Sequence, residues 1–365
     1  MQAELQKIAS QFALESAITA IDSLGEGFIN DTFIVRTEGD APDYILQRKN
    51  KNIFPDVPAM MENIRKVTDH IRRGVVAEGG DPRREVMTIV PTHDGKYWFV
   101  DSQGDYWAVS VFIGDTISYT KADSPELARK GVEGIGKFQA QLADFTEPLA
   151  ETIKGFHNIR HRFVQWDEAL KRDAAGRVKD LQEEIGWIES RRGEMLAFWS
   201  KVEDGTIPTR VTHNDTKINN ILFDKNGEVL CAIDLDTVMN STSLNDFGDA
   251  IRSYANTSEE DERDLSLVGL SPEMFRAYTE GYLSQRAKQL TASEIDNLAF
   301  SARYITFEQV LRFLMDYIDG DTYYKIKYPE HNLVRTHAQY KLLQSMEEQY
   351  GTMCEIVRET VAKYK

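Results

Sequence analysis

The chain has 365 residues, of which 41% are hydrophobic and 28% charged, as in a globular protein with a sizeable core and room for two domains. Its formal net charge of −16 argues against a nucleic-acid-binding class, because neutralising phosphates requires clustered Lys and Arg, and no basic stripe is present. Cys231 and Cys354 lie far apart without a CxxC spacing, so the sequence predicts neither a disulfide framework nor a zinc site.

The chain carries no pattern typical of targeting or membrane insertion. Acidic residues interrupt the first thirty positions, which a secretory signal would not tolerate, and no stretch approaches the roughly 20 apolar residues of a membrane span. These features and the sparse cysteines predict a cytoplasmic protein, and nothing in the sequence predicts a protein partner.

Residues 1–114 are predicted to form a β-rich N-terminal lobe. Short apolar-polar alternations bounded by turn residues indicate strands, and one longer segment has helical spacing. The predicted strands are 18–24, 32–37, 44–47, 86–90, 97–100 and 106–113, with a helix at 57–72.

Residues 115–365 are predicted to form a mainly helical C-terminal lobe, starting where Ser124 can cap a helix and Pro125 can occupy its first turn. A hairpin interrupts the helices, because two apolar runs flank the turn sequence Asp224–Gly227. Near residue 310, apolar positions are expected in the core and most polar ones at the surface. The predicted fold class is therefore α+β, with a small antiparallel-sheet lobe and a large helical lobe.

The loop His213-Asn214-Asp215-Thr216-Lys217 is the principal candidate for chemistry. A carboxylate at Asp215 can accept the proton of an attacking hydroxyl, and His213 can pin the loop by hydrogen bonding. Lys217 can stabilise charge on a transferred phosphoryl group. The structural alternatives are an ordinary polar turn and a solvated lysine, and the neighbouring residues favour the catalytic interpretation.

Two polar residues beside the hairpin predict a magnesium site. Asn220 follows Asp215 by five positions, and Asp234 closes the hairpin. An amide oxygen and a carboxylate in this order are typical of a kinase catalytic loop and its metal-binding Asp. Asp236 lies two residues further on and is predicted as a secondary metal ligand, with capping of the next turn as the alternative. The set predicts an ATP-dependent small-molecule kinase.

Two glycine-containing motifs are weaker signals. Gly25 and Gly27 bend the chain between the first two strands, where backbone NH groups could approach ATP phosphates, although such a pair is also common in tight turns. The segment 243–249 is predicted to begin a helix, and the letters Asp246-Phe247-Gly248 within it are not expected to be the metal-binding motif. Asp246 is then expected to cap that helix, and Asp249 to brace the catalytic loop from behind.

The motif His213-x-Asp215-x-x-x-x-Asn220, followed by Asp234-x-Asp236, resembles the aminoglycoside phosphotransferase and choline kinase superfamily. The resemblance implies a bilobal protein-kinase-like fold that uses ATP and Mg²⁺. It further implies that residues 1–114 form the nucleotide-binding lobe and that residues 115–365 carry the catalytic loop, the metal site and the sugar pocket. A narrower likeness to the N-acetylhexosamine 1-kinases extends over nearly the whole chain. The segments that carry it are 44–47, 210–222, 275–281 and 328–336.

The narrower likeness implies phosphorylation of the anomeric hydroxyl of N-acetylglucosamine or N-acetylgalactosamine. By the same analogy Asp215 is the base, and Asn220 and Asp234 hold magnesium. The residues that correspond to sugar-contacting positions are Asn30, Arg312 and Tyr323.

The chain departs from the pattern at two places. Gln47 occupies the position of the strand lysine that holds phosphates in protein kinases. Arg48 or Lys49 is the expected substitute, with a larger share of the load on magnesium as the alternative. Gln47 and Arg48 are the predicted nucleotide contacts. Phe28 and Ser253 stand where the 1-kinases are expected to carry a histidine and an aromatic residue near the sugar. Sugar preference therefore stays open.

Two other functions remain as alternatives. The same catalytic loop could serve another small alcohol, such as an amino alcohol, an aminoglycoside or a different sugar. The chain could also be a non-catalytic nucleotide or sugar sensor, which the intact base and metal ligands argue against.

Overall fold

The computed structural model describes residues 2–24 and 30–365. They divide into two compact units. The first comprises 1–118, 144–154 and 220–240, and the second comprises 119–143, 155–219 and 241–365. The boundary at residue 114 between two continuous lobes stays a prediction. Within the described ranges, no helix has the length and apolar character needed to cross a membrane.

The N-terminal elements build one antiparallel sheet and two helices. In chain order they are α1 (Gln2–Ala9), β1 (Ile18–Ser23), β2 (Asp31–Thr37), β3 (Tyr44–Lys49), α2 (Val57–Ala77), β4 (Ile89–Val90), β5 (Phe99–Val100) and β6 (Tyr106–Val111). The strand order is β1-β2-β3-β6-β4, and β5 also pairs with β6. The predicted strands and the helix α2 are confirmed, whereas α1 was not predicted.

Alternation along β3 decides which side chains are buried beneath the sheet. Tyr44 and Leu46 lie on the core face, where they pack with Trp107 and Val109 of β6. Gln47 and Lys49 therefore lie on the opposite face of the sheet, since successive strand side chains point to opposite sides.

The second unit begins with three helices: α3 (Pro125–Gln141), α4 (Ile159–Arg172) and α5 (Gln182–Glu203). The Ser124 hydroxyl accepts a hydrogen bond of 3.2 Å from the backbone NH of Leu127, and Pro125 occupies the first turn. The predicted start of α3 is therefore confirmed. This capping satisfies one of the NH groups that a helix N-terminus leaves without an intrahelical partner.

The predicted hairpin is also confirmed. After β7 (Arg210–Thr212), the strands β8 (Ile221–Phe223) and β9 (Val229–Ala232) pair antiparallel. The Asp224 carboxylate accepts backbone NH groups of Asn226 and Glu228, each at 2.8 Å. Gly227 has a φ of 79°, which a glycine adopts without strain.

The remaining elements are β10 (Met239–Ser241), α6 (Ser243–Tyr254), α7 (Pro272–Arg286), α8 (Ala292–Ile318), α9 (His331–Glu348) and α10 (Tyr350–Tyr364). Helix α8 packs against α4, α6 and α9, so it has little face left for solvent. Glu308 and Asp316 are buried on it, and the expectation that such polar residues lie at the surface was wrong for both. The Asp316 carboxylate accepts the backbone NH groups of the segment Thr322–Tyr324.

Candidate active site

A fully buried carboxylate on α6 holds the backbone of the candidate catalytic loop. Asp246 accepts the NH of His213 at 3.0 Å and the NH of Asn214 at 2.7 Å, and the Gln139 side chain donates to it at 2.7 Å. Burial raises the pKa of Asp246, and the charge of His213 and these hydrogen bonds oppose the rise. Two consecutive backbone groups of the loop are thus fixed to one helix.

A second carboxylate of α6 supports the next part of the loop. Asp249 accepts the backbone NH of Thr216 at 3.3 Å and its hydroxyl at 3.2 Å. Burial alone would raise the pKa of Asp249, but the charges of Arg252, His157 and Lys217 outweigh it and the pKa is lowered. The bracing role predicted for Asp249 is confirmed by these contacts.

The start of α6 corrects one expectation and confirms another. Thr242 caps the helix by accepting the backbone NH of Leu244 at 3.3 Å, so the capping role expected of Asp246 was wrong. The reason is that Asp246 is already turned toward the loop. Helix α6 begins at Ser243, as predicted, and Asp246-Phe247-Gly248 lies inside it.

The side chain of Asp215 remains reachable from solvent while its neighbours are held. Asp215 is 23% exposed and forms an ion pair of 3.0 Å with Lys217, which is 49% exposed. Desolvation by itself would lower the pKa of Lys217. The negative charge of Asp215 and its hydrogen bond to Lys217 have the larger effect, so the pKa of Lys217 is raised. His213 is fully buried and packs in a T-shaped arrangement with the Phe138 ring, with 5.6 Å between ring centroids. The loop therefore presents one carboxylate and one ammonium group.

Asn214 and Asp234 both have left-handed backbone conformations, with φ of 64° and 57°. Such values are uncommon for residues other than glycine and cluster at functional sites. They occur here inside the two motifs that the sequence singled out.

The predicted metal ligands Asn220 and Asp234 lie beside the hairpin in the first unit. The backbone NH of Ile233 donates to the Asn220 carbonyl at 2.8 Å, which extends the ladder between β8 and β9 by one pair. Asp234 therefore follows the residue paired with Asn220. An amide oxygen and a carboxylate are donors that Mg²⁺ prefers, so this set fits the metal. No group of three or more His, Cys, Asp or Glu with metal-binding geometry occurs among the described residues.

Asp236, the third predicted metal ligand, bonds to Lys49 and Asn30 within the first unit. The Lys49 ammonium lies 2.7 and 2.9 Å from the two Asp236 oxygens, and the Asn30 amide donates to one of them at 2.7 Å. All three residues are buried. The backbone NH of Asn50 donates to the other end of the Asn30 amide at 3.1 Å.

The predicted nucleotide-contacting residues have different surroundings. Gln47 accepts a hydrogen bond of 2.7 Å from Lys49 and donates to Thr32 at 3.3 Å. Arg48 is about half exposed and pairs with Asp31. Gly25 and Gly27 lie outside the described residues, as does Phe28.

Two of the three predicted sugar-contacting residues, Arg312 and Tyr323, lie together in the second unit. The Arg312 guanidinium is 5.7 Å from the centroid of the Tyr323 ring and 5.5 Å from that of Tyr324. Its hydrogen bond to a protein side chain goes to Gln309, at 3.3 Å. Among the described residues no carboxylate lies within ion-pair distance of Arg312. Asn30, the third residue, belongs to the first unit.

A buried ion-pair group lies one helical turn before Arg312. Glu308 accepts from His157 at 2.7 Å and from Arg162 at 3.0 Å. Burial alone would raise the pKa of Glu308, but these two partners outweigh it and hold the pKa well below its usual range. Glu308, four residues before Arg312 on α8, is therefore already engaged by the side chains of His157 and Arg162.

Sequence reasoning missed two contributors to the site. Asp246 and Gln139 hold the catalytic loop through contacts between residues more than thirty positions apart. A partial signal was present, because Asp246 and Asp249 are three residues apart and so lie on one face of a helix.

Comparison with known proteins places this chain in a family. The family model for APH, the phosphotransferase enzyme family, matches residues 21–290. Similar solved structures include a microcompartment-associated aminopropanol kinase, 17% identical, with 96% of this chain and 98% of that chain covered and a TM-score of 0.63. A spectinomycin phosphotransferase in complex with ADP and spectinomycin is 13% identical, with 99% and 98% covered and a TM-score of 0.55. A choline kinase from Streptococcus pneumoniae is 13% identical, with 94% and 98% covered and a TM-score of 0.54.

The match covers most of the chain, so the protein belongs to the phosphotransferase enzyme family. It is a small-molecule phosphotransferase with the α+β, protein-kinase-like fold of that family. At the identities above, likeness to the solved structures concerns the fold, and the acceptor has to be argued from this chain's own residues.

Proposed function

We propose that this protein transfers the γ-phosphoryl group of ATP to the anomeric hydroxyl of an N-acetylhexosamine, with Mg²⁺ as cofactor. The observation that carries the proposal is the catalytic loop, in which Asp246 and Asp249 hold the backbone while Asp215 stays reachable from solvent. A general base has to be positioned in this way, since it must meet one proton of a mobile acceptor.

In the proposed reaction, the acceptor oxygen attacks the γ-phosphorus and its proton passes to the Asp215 carboxylate. The bond between the γ-phosphorus and the bridging oxygen breaks, and ADP leaves with that electron pair. Lys217 beside Asp215 supplies a positive charge where negative charge develops on the phosphoryl oxygens. An anomeric hydroxyl is more acidic than an ordinary alcohol, so a carboxylate is a sufficient base.

The residues proposed to hold Mg²⁺ are Asn220 and Asp234, whose amide and carboxylate oxygens suit the ion. When bound, Mg²⁺ would offset the charge of the phosphate oxygens. The residues proposed to contact the nucleotide include Gly25, Gly27, Gln47 and Arg48.

The proposal of a neutral sugar acceptor is supported by the charge around Arg312. This guanidinium has no carboxylate within ion-pair distance among the described residues, and the nearby Glu308 is engaged by His157 and Arg162. A cationic acceptor would meet the positive charge of Arg312, whereas a carbonyl or hydroxyl oxygen can accept hydrogen bonds from its NH groups. Tyr323 and Tyr324 add ring surfaces of the kind on which a sugar can pack.

An acceptor panel with product analysis tests the proposal. Purified protein with ATP and Mg²⁺ would be given N-acetylglucosamine, N-acetylgalactosamine, glucose, ethanolamine, 1-amino-2-propanol and spectinomycin, and ADP release would be followed. ³¹P NMR with proton coupling would then locate the phosphate on the product. The proposal expects the N-acetylhexosamines to have the highest kcat/KM and the phosphate to be on the anomeric oxygen.

The same panel contains the outcomes that contradict the proposal. Turnover of an amino alcohol or aminoglycoside, with none of the N-acetylhexosamines, would favour a kinase of cationic alcohols and refute the acceptor assignment. Phosphate on the C6 oxygen would refute the regiochemistry. The N-methyl-D-glucamine cation serves as a matched control, because it is a polyol of similar size with a positive charge.

A further inference from the structure

The Asp236 carboxylate accepts hydrogen bonds from two side chains of the protein, a lysine and an asparagine. It lies between the Lys49 ammonium, at 2.7 and 2.9 Å, and the Asn30 amide, at 2.7 Å. The side chains of Lys49 and Asp236 are 3% and 6% exposed, so this ion pair is almost completely removed from water. Other carboxylates on the sheet have exposed partners, such as Asp43 with Arg36 at 2.6 Å.

Because Lys49 and Asp236 are both buried, each needs the other as its counter-ion. A lysine ammonium is strongly hydrated in water, so burying it requires a counter-ion and a hydrogen-bond acceptor for each proton. Lys49 obtains these from the two oxygens of Asp236 and from the side-chain oxygen of Gln47 at 2.7 Å. Arg48 next to it cannot share this role, because alternation along β3 turns its side chain to the other face, where it pairs with Asp31.

The position of Asp236 in the chain connects this pair to the predicted metal ligand. Asp236 follows Asp234 by two residues on a short 3-10 helix, Leu235–Thr237, packed against α2. The Asn63 side chain of α2 donates to the Val238 carbonyl at 3.1 Å, which fixes the segment just after Asp236. The segment that carries Asp234 is therefore fastened to β3 through the Lys49–Asp236 pair.

We propose that Asp236 is a positioning residue that serves as the counter-ion of Lys49 and holds its ammonium group for the phosphates of bound nucleotide, instead of binding magnesium itself. This inference rests on the proposed ATP-dependent function. Both oxygens of Asp236 already accept hydrogen bonds, and a magnesium ion on the same buried carboxylate would bring a second cation next to the Lys49 ammonium. Asn220 and Asp234 then remain as the magnesium ligands, and Gln47 is the neutral partner that Lys49 exchanges for a phosphate oxygen.

A double-mutant cycle on nucleotide affinity tests this assignment. The dissociation constant of ADP with saturating Mg²⁺ would be measured by calorimetry for wild type, K49M, D236N and K49M/D236N. Loss of a charge-assisted hydrogen bond predicts a rise of about tenfold or more for each single variant. Because Asp236 acts through Lys49, the double variant should bind ADP within about twofold of K49M. The exposed pair gives the matched control R36M/D43N, which should bind ADP as wild type does.

The magnesium requirement supplies the second measurement. The Mg²⁺ concentration for half-maximal turnover should stay within about twofold of wild type in D236N and rise about tenfold or more in D234N. Equal rises in both variants would overturn the assignment, as would independent, multiplicative losses of ADP affinity in the cycle.

Two controls separate the possible failures. If D236N does not fold because it leaves Lys49 buried and unpaired, K49M and K49M/D236N still decide the matter. Equal ADP affinity of these two supports the proposal, and a further tenfold loss in the double variant refutes it. If wild-type protein binds no ADP, the proposed ATP-dependent function itself fails, independently of the role of Asp236.

Discussion

Asp246→Asn would separate the positioning of the catalytic loop from its chemistry. In the structure, one Asp246 oxygen accepts from His213 NH and the Gln139 amide, and the other accepts from Asn214 NH. An asparagine can keep its oxygen on the side with two donors. Its NH₂ group then faces the Asn214 NH, so that one hydrogen bond is replaced by two opposed donors.

The size of the effect follows from this geometry. An unsatisfied buried donor costs about 1–3 kcal/mol, so D246N should lose about that much unfolding free energy. Asp246→Ala removes the acceptor for all three donors and should lose about 3–5 kcal/mol. Asp215 is the next residue after Asn214, and a shift of its carboxylate by about 1 Å is expected to lower kcat roughly 10²-fold.

Urea unfolding and steady-state ADP release would measure the two effects on the same protein. The control is Asp173→Asn, since one oxygen of Asp173 accepts the backbone NH groups of Arg177 and Val178 in the second unit, at 2.8 and 3.1 Å, neither of which belongs to the catalytic loop. D173N should keep the wild-type kcat. If D246N loses stability as expected and nevertheless turns over at the wild-type rate, Asp246 does not position the base and the reasoning is refuted.

Three further changes test other parts of the account. Because Glu308 has a lowered pKa, its contribution should be complete above its unfolded pKa of about 4.3 and be lost as pH falls below it, so the stability gap between wild type and E308Q in urea unfolding should narrow in acid. Gly248→Ala would push a methyl group into the Ser301 carbonyl and should cost about 1–3 kcal/mol in thermal unfolding, whereas Gly186→Ala, in open space, should not destabilise. Arg312→Met should raise the KM for an N-acetylhexosamine about tenfold and leave the KM for ATP unchanged, and an unchanged sugar KM would contradict its proposed role.

Most local elements were predictable because their determinants are adjacent in sequence. Ser124 with Pro125, and the turn at Asp224–Gly227, satisfy backbone groups only a few residues away. Helix α1 was not predicted, since its eight residues owe their position to packing of Leu5 and Ile8 against the sheet core. The burial of α8 was underestimated for the same reason, because neighbouring helices cover its polar positions.

The candidate site divides in the same way. The order of Asp215, Asn220 and Asp234 is a local motif and was readable directly. The residues that contact this motif could not be predicted from the sequence. The hydrogen bond from His213 to Asp246 joins positions 33 residues apart, and the Lys49–Asp236 pair joins positions 187 residues apart. Such contacts depend on tertiary packing, and the sequence around either residue does not reveal that the two residues are close in space.

The most direct test of the central claim is single-turnover phosphoryl transfer to N-acetylglucosamine by Asp215→Asn protein, with nucleotide affinity measured on the same sample. The account predicts ADP binding close to that of wild type and a transfer rate lower by roughly 10² or more, because the acceptor proton has lost its base. Transfer at the wild-type rate would contradict the assignment of Asp215.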